Sequence, residues 1–201
     1  MMDIKLYYTP KTRALRPRWL LEELELPYKL IHINLFEGET RTEEFRKINP
    51  NACIPAMEVD GQVMFESGAM CAWLADQFPD RGLAPKLIAP QRMAYEQWMY
   101  YVTATLEPPI WNYLQHRLIL PKEQRVPEIL AWNLERYGRS LTVVAENLKN
   151  KTYMLGDQFT AADIMVSTTL MWRPKALNDY PVLRDYTESL KQRTAYLNGI
   201  G

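Results

Sequence analysis

The chain has 201 residues, 47% hydrophobic and 24% charged, an ordinary soluble composition with material for one large or two small cores. Lys and Arg number 24 and Asp and Glu 24, so no surplus of positive charge recruits a polyanion, and nucleic acid is excluded as a partner. No apolar run is long enough for a membrane span and the first residues lack a basic-then-apolar leader, so no membrane association and a cytoplasmic location are expected.

Asp3 to Tyr8 alternates, with Ile4, Leu6 and Tyr8 on one face and Lys5 and Tyr7 on the other, which predicts a strand. Thr9-Pro10-Lys11-Thr12 reads as a loop, and Ala14, Pro17, Leu20, Leu21 and Leu24 then recur at helical spacing. The basic cluster Lys11, Arg13, Arg16 and Arg18 has no interleaved aromatics and reads as a solvated helix face. Leu26-Pro27 ends that helix. Tyr28 to Leu35 is a second strand carrying Ile31, His32 and Ile33, with His32 a strand residue and not a ligand. Glu43 to Ile48 is a short helix stopped by Asn49-Pro50.

The next stretch is the most informative. Ile54-Pro55 precedes two short runs, 56–59 and 62–65, joined by Asp60-Gly61, whose dipeptide favours a tight hairpin turn with positive φ at both positions. Pro55 has no N–H for a ladder bond, so it stands at the first residue of its strand or in a turn before it. Glu66-Ser67 opens a helix reaching about Phe78, and sets a carboxylate and a hydroxyl beside unpaired helix N–H groups. Such a corner suits a small zwitterion: the carboxylate takes an ammonium and the amides take a carboxylate.

Pro79 to Pro85 is a Pro/Gly-rich break followed by a change of period, which predicts a domain linker. From Pro90 the pattern is helical. Met93, Gln97, Tyr100 and Tyr101 begin a long helix that Pro108-Pro109 bends or interrupts; a second helix spans about 128–148. Phe159 to Ile164 is a sharp helix start, in which Thr160 and Asp163 form a capping box and Phe159 staples to Ile164. A last helix is expected over about 182–194. The fold class is therefore α/β plus all-α: a thioredoxin-like N-terminal domain over 1–79, then an all-helical C-terminal domain over 86–201. The two cysteines, Cys53 and Cys71, show no CxxC spacing and read as packing residues, and with two histidines no metal-ligand spacing appears.

The ordered set Asn49-Pro50, Ile54-Pro55, the Asp60-Gly61 hairpin, Glu66-Ser67 and a helix resembles the glutathione-binding half of the cytosolic glutathione transferases, in their bacterial-type, theta/nu-like branch. The helix with the capping box resembles a folding element of that family's C-terminal domain. In the family the proline is cis, the residue before it pairs its backbone with the cysteinyl unit of glutathione, and the Glu-Ser pair holds the γ-glutamyl end. The resemblance thus implies Ile54, Pro55, Glu66 and Ser67 as glutathione-binding residues, with Arg13 assisting by charge or solvated. Two departures are visible: Ala52 stands where the family often has glycine, and Cys53 where a lysine or glutamine is common.

The resemblance also implies an activity, namely conjugation of the glutathione thiolate to small hydrophobic electrophiles in detoxification by a homodimer, with glutathione the only cosubstrate and no metal. A glutathione-dependent reductase, dehalogenase or isomerase, or a non-catalytic binding protein, are the alternatives. Reductases of the family usually carry a cysteine where this chain has Tyr7-Tyr8-Thr9-Pro10. The electrophile site is implied between the domains, with Trp98, Tyr101 and Thr105 as lining candidates. A free thiol has a pKa of about 8.5, and lowering it by two units takes about 2.7 kcal/mol, within reach of one hydroxyl donor at a helix mouth. Three hydroxyls compete. Tyr7 stands where the tyrosine-type branch has its tyrosine, Thr9 where the serine-type branch has its serine, and Thr12 nearest the helix start. Thr9 is favoured, then Thr12, then Tyr7, because the loop places Thr9 opposite the Ile54-Pro55 turn.

Overall fold

Alternation in β1 (Ile4–Tyr8) is visible in the computed structural model, which describes residues 2–200. Ile4, Leu6 and Tyr8 are buried on one face, while Tyr7 joins Ile33, Phe45 and Ala56 in a cluster on the other. The chain divides into two compact units, residues 1–86 together with 191–201, and residues 87–190.

In the first unit, α1 (Leu15–Glu23) connects β1 to the parallel strand β2 (Lys29–His32). The strand is shorter than its sequence promises because the Asn34 side chain accepts the Phe36 N–H at 3.1 Å and turns the chain away. Next comes α2 (Glu43–Ile48), N-capped by Thr42, whose hydroxyl accepts the Phe45 N–H at 3.2 Å. The hairpin of β3 (Ala56–Val59) and β4 (Gln62–Phe65) follows, with Asp60 and Gly61 at φ 49° and 81°. α3 (Ser67–Gln77) completes the run. The sheet order is β2-β1-β3-β4, with β3 antiparallel to β1 and β4 to β3.

The basic face of α1 is not solvated. Arg16 is 1% and Arg18 8% exposed, because the helix packs against α3 and against the final helix, α9 (Thr194–Ile200). Arg18 lies over the Tyr8 ring at 4.8 Å and donates to the Asn198 carbonyl at 3.2 Å. Arg193 grips Glu23 with bonds of 2.6 and 2.8 Å, and the Trp19 and Tyr196 rings meet edge to face at 4.9 Å. The helix expected over 182–194 ends earlier, as α8 (Pro181–Leu190), with α9 following it as a further helix, and residues 191–201 group with the first unit, not with the second as the sequence boundary at 86–201 had it.

The second unit is helical. α4 (Gln91–Tyr101) runs into a π-helical turn, Val102–Leu106, and on into α5 (Glu107–Leu114), so Pro108-Pro109 do not interrupt it. Two successive prolines cannot donate to carbonyls one turn back; the wider turn absorbs the mismatch, and the Ser140 hydroxyl, bonded to the Arg136 carbonyl at 3.1 Å, also reaches the freed Thr105 carbonyl at 3.4 Å. α6 (Ile129–Leu148) packs on α5, and α7 (Ala161–Leu170) is buried along its whole length behind the Thr160/Asp163 capping box. Among the described residues no helix is long and apolar enough to cross a membrane.

Candidate functional site

Sheet register brings the sequence-predicted residues to one end of the first unit. Tyr7 stands opposite Ala56 and Ala56 opposite Phe65, while Tyr8 stands opposite His32. One or two residues further along each strand are Thr9, Ile54-Pro55, Glu66-Ser67 and Ile33. This is the carboxyl end of the parallel pair β1 and β2, the end at which open α/β sheets receive ligands.

Each segment has a local reason for its shape. The Ile54-Pro55 bond is cis, with Pro55 buried and Ile54 half-buried. The loop before it is tied by Asn49, 3% exposed, whose side chain donates to the Cys53 carbonyl at 2.6 Å and accepts the Asn51 N–H at 3.1 Å. The sequence marked Asn49 as a helix stop and as the start of the ordered set, without assigning it this tie to the loop. Ala52 sits at φ 53°, which accounts physically for glycine being usual there in the resembling family. Cys53 is exposed, its thiol donating to the Asn51 carbonyl at 3.2 Å.

Glu66 is exposed and precedes α3 with φ 74° and ψ 106°, a conformation that costs a non-glycine residue on the order of 1–3 kcal/mol. Ser67 follows as the first residue of α3, 5% exposed, and its hydroxyl accepts from the Arg16 guanidinium at 3.1 Å. One helical turn on, Cys71 is fully buried, and burial pushes its thiol up to about 12 although the Arg16 charge pulls it down.

The three candidate hydroxyls are placed very differently. Thr9, half-buried at the site end, donates its hydroxyl proton to the Ile33 carbonyl. Thr12 donates to the Thr9 carbonyl at 2.7 Å and accepts the Ala14 N–H at 3.2 Å, so it shapes the start of α1. Tyr7 donates to Glu58 at 3.4 Å, beside the 2.7 Å Lys5–Glu58 pair, and its ring packs edge to face on Phe45 at 5.9 Å. Since Glu58 pairs with Lys5, two residues back along β1, the Tyr7 hydroxyl points away from the site end. Burial and the neighbouring Glu58 charge hold its phenol above the ordinary value. Arg13 is half-buried in the loop that enters α1.

In the second unit, Trp98 is 4% exposed with its ring edge on Tyr101 at 5.1 Å, and the Tyr101 hydroxyl donates to the Ser140 carbonyl at 3.3 Å. Tyr101 thus ties the end of α4 to α6, and Trp98 is buried beside it. Thr105 lies past the start of the π-helical turn, which shifts the helix phase, and its side chain is exposed. The structure does not gather the three on one open face. Among the described residues no group of three or more His, Cys, Asp or Glu side chains forms a metal site.

The family model described as Glutathione S-transferase, N-terminal domain, matches residues 12–77, and that of the Glutathione S-transferase C-terminal domain matches residues 106–193. A glutathione S-transferase of Hyoscyamus muticus is 30% identical over 147 residues, covering 72% of this chain and 69% of that protein. The chain belongs to the glutathione S-transferase family. It is also 28% identical to the disulfide-bond oxidoreductase YfcG of Escherichia coli, over 96% of this chain and 92% of that one. The crystal structure of a glutathione transferase from Burkholderia graminis, with two glutathione molecules bound per subunit, superposes with a TM-score of 0.88 at 25% identity, covering 98% of this chain and 87% of that one.

Proposed function

We propose that this family member conjugates the thiolate of glutathione to small hydrophobic electrophiles, working as a homodimer. The observation that carries the reading is the meeting of the cis Ile54-Pro55 turn, Glu66, Ser67 and Thr9 at one end of the sheet. A γ-glutamyl group fits the α3 corner by charge: its carboxylate takes the Ser67 hydroxyl and the first N–H groups of the helix, and its ammonium takes Glu66. The cysteinyl backbone pairs with Ile54, whose main chain enters the sheet without a ladder partner at Pro55. The thiol then faces Thr9 and the mouth of α1.

Thr9 contributes by donation, since a threonine hydroxyl is not basic enough to take the proton. Its proton rests on the Ile33 carbonyl, a neutral bond contributing about 0.5–1.5 kcal/mol, whereas a bond to a thiolate contributes about 1.5–3. Rotation from one acceptor to the other is therefore downhill once the thiolate is present. The helix N-terminus adds about 0.3–1 kcal/mol. Net of the Ile33 bond given up, donation contributes up to about 2.5 kcal/mol, so with the helix N-terminus the upper ends of the two reach the roughly 2.7 kcal/mol that a two-unit drop in thiol pKa requires.

Calorimetry with glutathione tests the site. Glu66→Ala and Ser67→Ala are each expected to lose about 1.5–3 kcal/mol, tenfold or more in affinity. Unchanged affinity in both sinks the assignment. The likeness to YfcG favours a second reading, in which two glutathione molecules reduce a disulfide substrate and leave as oxidised glutathione. Parallel assays of thiol loss to an electrophile panel and of disulfide reduction separate the two.

A further inference from the structure

The basic run of α1 places one arginine beneath the proposed ligand corner. Arg16 is 1% exposed, and its Nη1 donates to Ser67 Oγ at 3.1 Å. Burying a guanidinium is costly, and an apolar side chain of similar volume often serves packing as well or better, so this choice of residue calls for a role beyond packing. A guanidinium carries donors and no acceptor, while a serine hydroxyl has one proton and two lone pairs. With a lone pair of Ser67 given to Arg16, the serine proton is left for the far side of the oxygen.

We propose that Arg16 is a positioning residue that fixes Ser67 as a hydrogen-bond donor toward the ligand, and so makes this corner select a carboxylate at the γ-glutamyl end. The inference rests on the glutathione reading above and adds a direction to it. The donors at the corner are then the Ser67 proton and the free N–H groups of the first turn of α3, all aimed at an anion. Glu66 is left as the acceptor for the ammonium. Were residue 16 able to accept, Ser67 could turn its proton inward and present a lone pair instead, and the distinction between the two ends of the amino-acid group would weaken.

Three ligands test this: glutathione, its analogue with 4-aminobutyryl in place of γ-glutamyl (no carboxylate), and its analogue with glutaryl in that place (no ammonium). Arg16→Gln introduces an acceptor, and Arg16→Lys keeps a donor-only group. Wild-type protein is expected to bind glutathione about tenfold tighter than the 4-aminobutyryl analogue. In Arg16→Gln the affinities for glutathione and the glutaryl analogue fall about five- to tenfold, while that for the 4-aminobutyryl analogue stays unchanged. Arg16→Lys keeps the wild-type preference, and Arg16→Gln adds no further loss in a Ser67→Ala background. A loss uniform across the three ligands means that Arg16 only supports the fold, and overturns the proposal; so does undiminished glutathione affinity in Arg16→Gln. Should Arg16→Gln fail to fold, Arg16→Lys decides alone: a retained preference supports the proposal and a uniform loss overturns it. Failure of the glutathione reading looks different, because wild-type protein then binds none of the three, and both ideas fall.

Discussion

Asp163→Asn changes one carboxylate oxygen into an amide group, and the surroundings of that side chain make the exchange expensive. Asp163 is fully buried at the start of α7. Its Oδ1 accepts the Met154 N–H and the Tyr186 hydroxyl, both at 2.8 Å, and its Oδ2 accepts the Thr160 N–H at 2.8 Å and the Thr160 hydroxyl at 3.1 Å. Whichever oxygen becomes NH₂ must face a backbone N–H, which cannot accept. One charge-assisted bond of about 1.5–3 kcal/mol is lost, and a buried N–H is left unsatisfied at a further 1–3 or so. The total is about 2.5–6 kcal/mol, a large share of the 5–15 or so that holds a typical domain. For a chain of this length each kcal/mol moves the thermal midpoint by about 2–4 °C, so a drop of about 5 °C or more is expected. Thermal unfolding followed by circular dichroism at neutral pH, with Asp163→Ala alongside, measures it. A drop below about 3 °C in Asp163→Asn would refute the reasoning, since that is under 2 kcal/mol and within reach of one solvated bond.

The site yields further expectations. Thr9→Ala should raise the pKa of bound glutathione by about one to two units, on the order of 1.4–2.7 kcal/mol, with little change in affinity; Thr12→Ala and Tyr7→Phe should not. The thiolate absorbance of each complex, titrated against pH, reads this out, and a shift in Tyr7→Phe with none in Thr9→Ala reverses the assignment. Cys53 is exposed and Cys71 buried with its thiol near 12, so a disulfide reagent at pH 8 should label one thiol in the native protein and two after denaturation. Saturating S-methylglutathione should slow labelling of Cys53, which adjoins Ile54; an unchanged rate counts against ligand binding at that turn. Burial and the bond to Glu22 push the Tyr28 phenol up to about 12. A raised folded value means that its stabilising effect is complete below the ordinary value near 10 and is lost as pH rises toward 12. The unfolding midpoint of wild type should therefore fall more steeply over that range than that of Tyr28→Phe, and parallel curves would dismiss the effect.

What was legible in the sequence is what depends on neighbours along the chain. The alternation of Ile4 to Tyr8, the Asp60-Gly61 turn and the Thr160/Asp163 box each need only a few adjacent residues, and each stands where it was read. The segments that the register brings to one sheet end, Ile54-Pro55 and Glu66-Ser67, were legible for the same reason, as a fixed order of short signals. The burial of Arg16 and Arg18 was not, because charge reads as solvent-facing until tertiary partners appear, Ser67 of α3 for Arg16 and a helix from the far end of the chain for Arg18. The split between α8 and α9 escaped likewise, since residues 191–193 carry neither proline nor glycine. Pro108-Pro109 read as a break because the π-helical turn before them has no sequence signature of its own. The hydroxyl partners of Thr9, Thr12 and Tyr7 are tertiary contacts or one-turn geometry, and only coordinates rank them.

The left-handed backbone at Glu66 sets two selective pressures against each other at a single position. Glycine would relieve the conformation and, on stability alone, would be favoured in any library screened for heat resistance. The same change deletes the acidic side chain at the mouth of α3. Glu66→Gly should therefore be recovered often by a screen for thermal survival and never by one for glutathione capture, so that enrichment ratios at codon 66 in the two screens would report, without a purified protein, whether this position is kept for folding or for ligand.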